Sequence, residues 1–303
     1  MAGVLTIARR TLPPSIVLFL FVDLVVNPYI PRLGTVAEGT RIEGQLTVDE
    51  SRALLARSRQ LMDAGQYQQA LAPAFELYRA YPANHVYSQA LARIYHRLGA
   101  YKEEAEYWEK FIEEAPLPIE ACPDIGQAYW KQGRRDEAIA ALERCLTYDP
   151  YEHDTLFELG HAREKTLDYP AAAALYRKAL EKNPADSACL LGLARAELRM
   201  GRLADARRLD ARVLRASPKN PDALLVAGLV AKVSGNPSQA RRYLLEGSAL
   251  SPGYADFQTL LGQIAQSQGR YREAAARYGR ALQLNPADRD AASGLLALNR
   301  RTR

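Results

Sequence analysis

Residues 255–288 read ADFQTLLGQIAQSQGRYREAAARYGRALQLNPAD, and this stretch predicts two short helices joined by a tight turn. Leu261, Gly262 and Ala265 share one face of the first helix, and Ala274, Tyr278, Ala281 and Leu282 share one face of the second. Apolar residues three and four apart are the mark of an amphipathic helix. Gly269 stands between the helices, where a left-handed residue can end one and open the turn. Pro286 stops the second, because proline cannot continue a helix.

The same 34-residue unit can be stepped backwards without insertion or deletion through 221–254, 187–220, 153–186, 119–152, 85–118 and 51–84. Position thirty-two is always proline, from Pro82 to Pro286. Position fifteen is glycine in every unit but the fourth, which has Leu167. Position eight is always small: Ser58, Ala92, Gly126, Gly160, Ala194, Gly228 and Gly262. Position twenty is alanine except at Glu104. Small residues let helix backbones approach, and larger neighbours fill the gaps.

Period and signature resemble the tetratricopeptide repeat family, TPR. The resemblance implies an all-α fold: a right-handed superhelical solenoid of antiparallel helix pairs whose first helices line the concave side. Local departures are Arg163 and Glu197 at position eleven and Asp210 at position twenty-four, where apolar or aromatic residues are usual. The fifth unit is therefore the least regular. Residues 289–303 add one helix, with Ala291, Leu295 and Leu298 apolar, as a cap over the last unit.

The chain ahead of the repeats differs. In residues 1–32, Arg9 and Arg10 precede an apolar run ending at Val26, with prolines at 13, 14, 28 and 31. Residues 12–30 form a candidate membrane anchor. The run is short for a hydrocarbon core of about 30 Å, which needs about 20 residues, and Asp23 lies inside it. Alternatives are a cleaved signal, an interfacial helix, or a segment docked on the array or on a second copy, so self-association stays open. The localisation expected is membrane-associated through this segment, on an undetermined side, or else cytoplasmic. Residues 33–50 read as a linker, closing on Thr47 and Glu50 in a capping box.

Of 303 residues, 48% are hydrophobic, a globular composition, and the net charge is +5. From residue 190 onward there are 19 Lys and Arg against 9 Asp and Glu, so the C-terminal part is basic. Cys122, Cys145 and Cys189 are too few for a disulfide scaffold. Cys122 and Cys145 fall at packing positions four and twenty-seven, which can bring them near each other, and are read as two buried thiols.

No catalytic constellation stands out. His153 and His161 are eight residues apart, with Asp154 and Glu158 between them, and read as a solvated helix face rather than a metal site. Many tyrosines, Tyr67, Tyr169, Tyr176 and Tyr278 among them, fall at positions that pack helices. The expectation is a non-enzyme with no cofactor and no metal.

Positions nine and thirteen point away from the apolar side of each first helix, at about 100° per residue. In units one to five they are Arg59, Asp63, Arg93, Arg97, Gln127, Lys131, His161, Lys165, Arg195 and Arg199. If the first helices line a groove, as the resemblance implies, Arg59, Arg93, Arg97, Lys131, His161, Lys165, Arg195 and Arg199 are candidate contacts for a protein partner, with acidic segments favoured. Leu229, Val233, Gln263 and Ser267 make the later part neutral. Nucleic acid is the weaker alternative, since no reading motif accompanies the basic residues. Another is an accessory subunit of an enzyme complex. The Lys and Asn clamp by which some family members hold chaperone tails is missing: its first Lys would stand at position five, where these units have Leu55, Gln89, Pro123, Phe157, Leu191, Leu225 and Thr259.

Overall fold

A computed structural model describes residues 46–301. Among these residues there are fifteen α-helices and no strand. The first helices of the seven units are α1 (Val48–Asp63), α3 (His85–Leu98), α5 (Cys122–Lys131), α7 (His153–Lys165), α9 (Ser187–Arg199), α11 (Pro221–Val233) and α13 (Ala255–Ser267). The second helices are α2 (Tyr67–Ala80), α4 (Tyr101–Glu114), α6 (Arg135–Cys145), α8 (Tyr169–Lys182), α10 (Leu203–Ala216), α12 (Pro237–Leu250) and α14 (Tyr271–Leu284). The last helix, α15 (Arg289–Arg301), packs on both α13 and α14, as a cap does. Residues 12–30 lie outside the described residues. Within those described, no helix is long and apolar enough to cross a membrane.

The turns explain the period. Gly99 takes φ 70°; its N–H reaches the His96 carbonyl at 3.0 Å, and Ala100 N–H reaches Tyr95 at 3.0 Å. These bonds satisfy carbonyls that the helix end would leave unpaired. Leu167 adopts the same left-handed conformation, φ 67°, and the same bonds recur: its N–H to Glu164 at 3.1 Å and Asp168 N–H to Arg163 at 2.9 Å. A non-glycine residue there costs about 1–2 kcal/mol. The fourth unit keeps the turn nonetheless, with Asp168 capping α8 through the Ala171 amide. Thr47 and Glu50 form the expected box, at 2.7 and 3.2 Å. In the third unit a 3₁₀ turn, Pro118–Ala121, precedes α5, so that Pro123 falls in the helix's first turn, where its missing N–H does no harm.

Position twenty-four of the second helix sets the stacking in units three, four, six and seven. Tyr176 is fully buried between successive first helices. A Cβ added at Gly160 of α7 would stand 2.9 Å from Tyr176 Cε1, and one at Gly192 of α9 would stand 2.5 Å from its Cζ. Tyr278 sits in the same way between Gly262 and Gly294. Leu142 and Leu244 press on Gly126 and Gly228. In units three, four, six and seven the glycine at position eight thus receives its own unit's position twenty-four.

One sequence expectation is overturned. Cys122 of α5 and Cys145 of α6 are joined by a disulfide, with Cα atoms 5.7 Å apart. They are not two buried thiols. Positions four and twenty-seven face each other across the helix pair, and that separation is ordinary for a bridge. Closing 23 residues is worth about 3 kcal/mol in the chain-entropy model. Cys189 is free and buried.

The irregular positions are mostly compensated. Glu197, 3% exposed, pairs with Arg177 and, at 3.2 Å, with Arg202. Arg163 pairs with Glu143 and Asp168. Asp210 is buried and its Oδ1 has no partner.

Candidate functional site

From the third unit onward successive first helices touch one another, which second helices do not match. The first helices therefore line the tighter, inner side. Hydrogen bonds 31 residues apart bridge that side: Gln89 to Glu120 at 3.2 Å, Gln127 to Glu158 at 2.9 Å, and Lys232 to Gln263. A fourth such pair is Arg195 with Glu164, held at 2.8 and 3.0 Å by two guanidinium nitrogens.

Arg59, Arg93, Arg97, Lys131, Lys165 and Arg199 are exposed on this face. Two are held in place by tyrosines at the start of the preceding second helix. Arg97 lies over the Tyr67 ring, 5.0 Å from its centroid, and donates to the Tyr67 hydroxyl at 2.6 Å. Arg199 does the same on Tyr169, at 5.2 and 3.0 Å. Such stacking is worth about 0.5–1 kcal/mol at exposed sites and leaves the guanidinium charge outward. The sequence assigned these tyrosines to helix packing; their 30-residue spacing from the arginines was the available signal.

His161 and Arg195 differ from the other candidates. Both are half-buried. Burial, then the nearby charge of Lys165, lowers the His161 pKa, so the imidazole is neutral at pH 7. Burial works to raise the Glu164 pKa, but the hydrogen bonds and charge of Arg195 outweigh it and the carboxyl titrates below its ordinary range. Arg195 is thus already neutralised by Glu164. Glu164 also accepts from the Tyr176 hydroxyl at 3.1 Å, tying the groove face to the stacking ring.

Between units one, two and three the face opens into a cavity of about 450 Å³ lined by Tyr67, Arg93, His96, Arg97, Glu104 and Asp124. Glu104, the exception at position twenty, is 1% exposed, and its Oε1 lies 2.9 Å from His96 Nδ1. Its Oε2 and the Trp108 indole nitrogen lie near each other without hydrogen-bond geometry. Burial raises the pKa values of both Glu104 and Asp124. In the sequence Glu104 stands only as the exception to alanine at position twenty.

Models of the tetratricopeptide repeat match residues 124–187, 157–221, 191–255 and 255–288, together more than half of the chain. Cellulose synthase operon protein C of Pseudomonas fluorescens (strain SBW25) is 26% identical over 199 residues, 63% of this chain; the match spans only 16% of that protein. Among solved structures, a tetratricopeptide repeat protein from Parabacteroides merdae superposes with a TM-score of 0.73 at 18% identity, covering 82% of this chain and 99% of that one. PilW, described as a widely conserved type IV pilus biogenesis factor, superposes at 0.57 and 23% identity, covering 70% and 98%. Pseudomonas aeruginosa pilF does so at 0.57 and 20%, covering 71% and 98%. With seven stacked helix pairs in the family's period and these matches, the chain belongs to the tetratricopeptide repeat family.

Proposed function

We propose that this array is a non-catalytic scaffold that holds an acidic segment of a protein partner along its first helices, as an accessory component of a larger assembly. The observation that carries this reading is the fixed presentation of Arg97 and Arg199, each oriented by a tyrosine at the same register of its unit. A guanidinium already held in its binding geometry loses little further entropy when it meets a carboxylate. Arg59, Arg93, Lys131 and Lys165 extend the basic stripe. Arg195 and His161 contribute shape rather than charge, because one is paired and the other neutral. The names of the cellulose synthase operon and pilus biogenesis relatives favour an accessory role.

The test is binding of a labelled Glu- and Asp-rich peptide followed by fluorescence anisotropy. Changing Arg93, Arg97, Lys131 and Arg199 together to Glu is expected to weaken binding by at least about tenfold, and added salt to weaken the wild type more than the variant. All four side chains are exposed, so circular dichroism should not change. Equal affinity of the two proteins would remove the stripe from the reading.

A further inference from the structure

His153, Asp186 and Cys189 each offer one donor atom, and the three atoms lie within 4.8 Å of one another at the junction of the fourth and fifth units. His153 opens α7, Asp186 caps α9, and Cys189 lies in the first turn of α9. Cys189 Sγ is 3.7 Å from His153 Nε2. Sulfur and nitrogen bound to one zinc ion, at about 2.3 and 2.0–2.1 Å, stand about 3.6 Å apart at a tetrahedral angle. The other ring nitrogen, Nδ1, is 3.0 Å from Asp154 Oδ1. That contact keeps the proton on Nδ1 and turns the Nε2 lone pair towards the sulfur. A carboxylate behind a histidine is the usual support of a metal-bound imidazole.

Two other readings of the cluster are weaker. Cys, His and Asp in line resemble a thiol nucleophile with its base. But Cys189 is fully buried in the first turn of α9. A substrate's reacting carbon cannot approach such a sulfur, whereas a single ion needs room only among the three donor atoms. The second reading is helix capping, since Asp186 Oδ1 accepts from the Cys189 amide at 2.6 Å. Capping explains Asp186 but not the contact of Cys189 Sγ with His153 Nε2 or the support of that imidazole by Asp154.

We infer that His153, Asp186 and Cys189 form a binding site for a thiophilic divalent cation of the zinc type, with Asp154 positioning the imidazole and a fourth coordination place left for water or a partner's side chain. Binding exchanges the thiol proton for the metal: the S–H bond breaks, a sulfur–metal bond forms, and one proton leaves to solvent for each ion bound. Affinity therefore falls as pH falls. The site is independent of the basic stripe.

The test is a cobalt(II) titration of the full chain, stripped with chelator and with the Cys122–Cys145 disulfide intact. The expected result is one equivalent bound, a thiolate-to-cobalt charge-transfer band, and displacement by zinc. Cys189→Ala should abolish the band. It should also fold, since the equivalent positions Ala121, Ala223 and Ala291 are alanine. Asp154→Asn, at an exposed side chain, should retain the band with about 10–100-fold weaker affinity. Zinc should raise the thermal midpoint of the wild type and not of Cys189→Ala. A titration without the band, or a band that survives Cys189→Ala, would overturn the assignment.

Discussion

Tyr176→Ala is expected to lower the unfolding free energy by about 3–5 kcal/mol, as loss of a fully buried aromatic does. The upper part of that range is favoured here because the ring's two walls are glycines. Gly160 and Gly192 have no side chains to move into the space, and their helices are held by contacts on both sides. Tyr176→Phe removes only the hydroxyl. Glu164 keeps both Arg195 bonds, so the loss should be nearer 1 kcal/mol. Urea unfolding of the three proteins measures both changes. A loss below 1 kcal/mol for the alanine variant would mean that the ring does not hold the fourth and fifth units together.

The opposite sign is expected at Asp210. Burial alone raises its pKa to about 7. An unfolded aspartate titrates near 3.9. Between those values the folded chain holds a proton that the unfolded chain has lost, so stability falls as pH rises from about 4 to about 7 and is level above. Three pKa units set an upper bound of about 4 kcal/mol on this loss. Asp210→Asn cannot titrate and should lack this contribution; Asp210→Leu, which copies Leu142 and Leu244 at the same position, should in addition bury apolar surface. Both variants should gain on the wild type at pH 8 and gain less at pH 4.5. The difference between wild type and Asp210→Asn across the pH range isolates the group. A constant difference would show that Asp210 titrates normally.

Most of the architecture could be read from the sequence because its causes are local. Glycine at position fifteen, proline at thirty-two and the small residue at eight each act through backbone geometry or close approach, which spacing alone reveals. The period places a turn at position fifteen of the fourth unit as in the others, but that Leu167 itself takes the left-handed conformation shows only in the structure. What escaped depended on contacts between units or across a helix pair. The register showed Cys122 and Cys145 as packing residues, but not that their backbones lie within bridging distance. Glu104 stood out as an exception, without His96 and the cavity beside it. In the groove, seven of the eight candidate side chains are Lys or Arg by sequence alone, yet Glu164 beneath Arg195 and the tyrosines beneath Arg97 and Arg199 come from the preceding unit. A helix-by-helix reading cannot see a neighbour one repeat away.

A ring lodged between successive first helices also separates the repeat as written from the unit that folds. A fragment ending at residue 186 contains whole repeats, yet it retains Gly160 and loses Gly192, so one side of Tyr176 faces water. A fragment ending at residue 199 breaks a repeat but encloses the ring. The longer fragment should melt at the higher temperature, in a sharper transition, although only thirteen residues separate the two. During synthesis the fourth helix pair would remain half-finished until α9 had emerged. Cooperativity in this array thus runs in a frame offset by one helix from the sequence period, and α15, which supplies Gly294 to Tyr278, closes that frame at the C-terminal end.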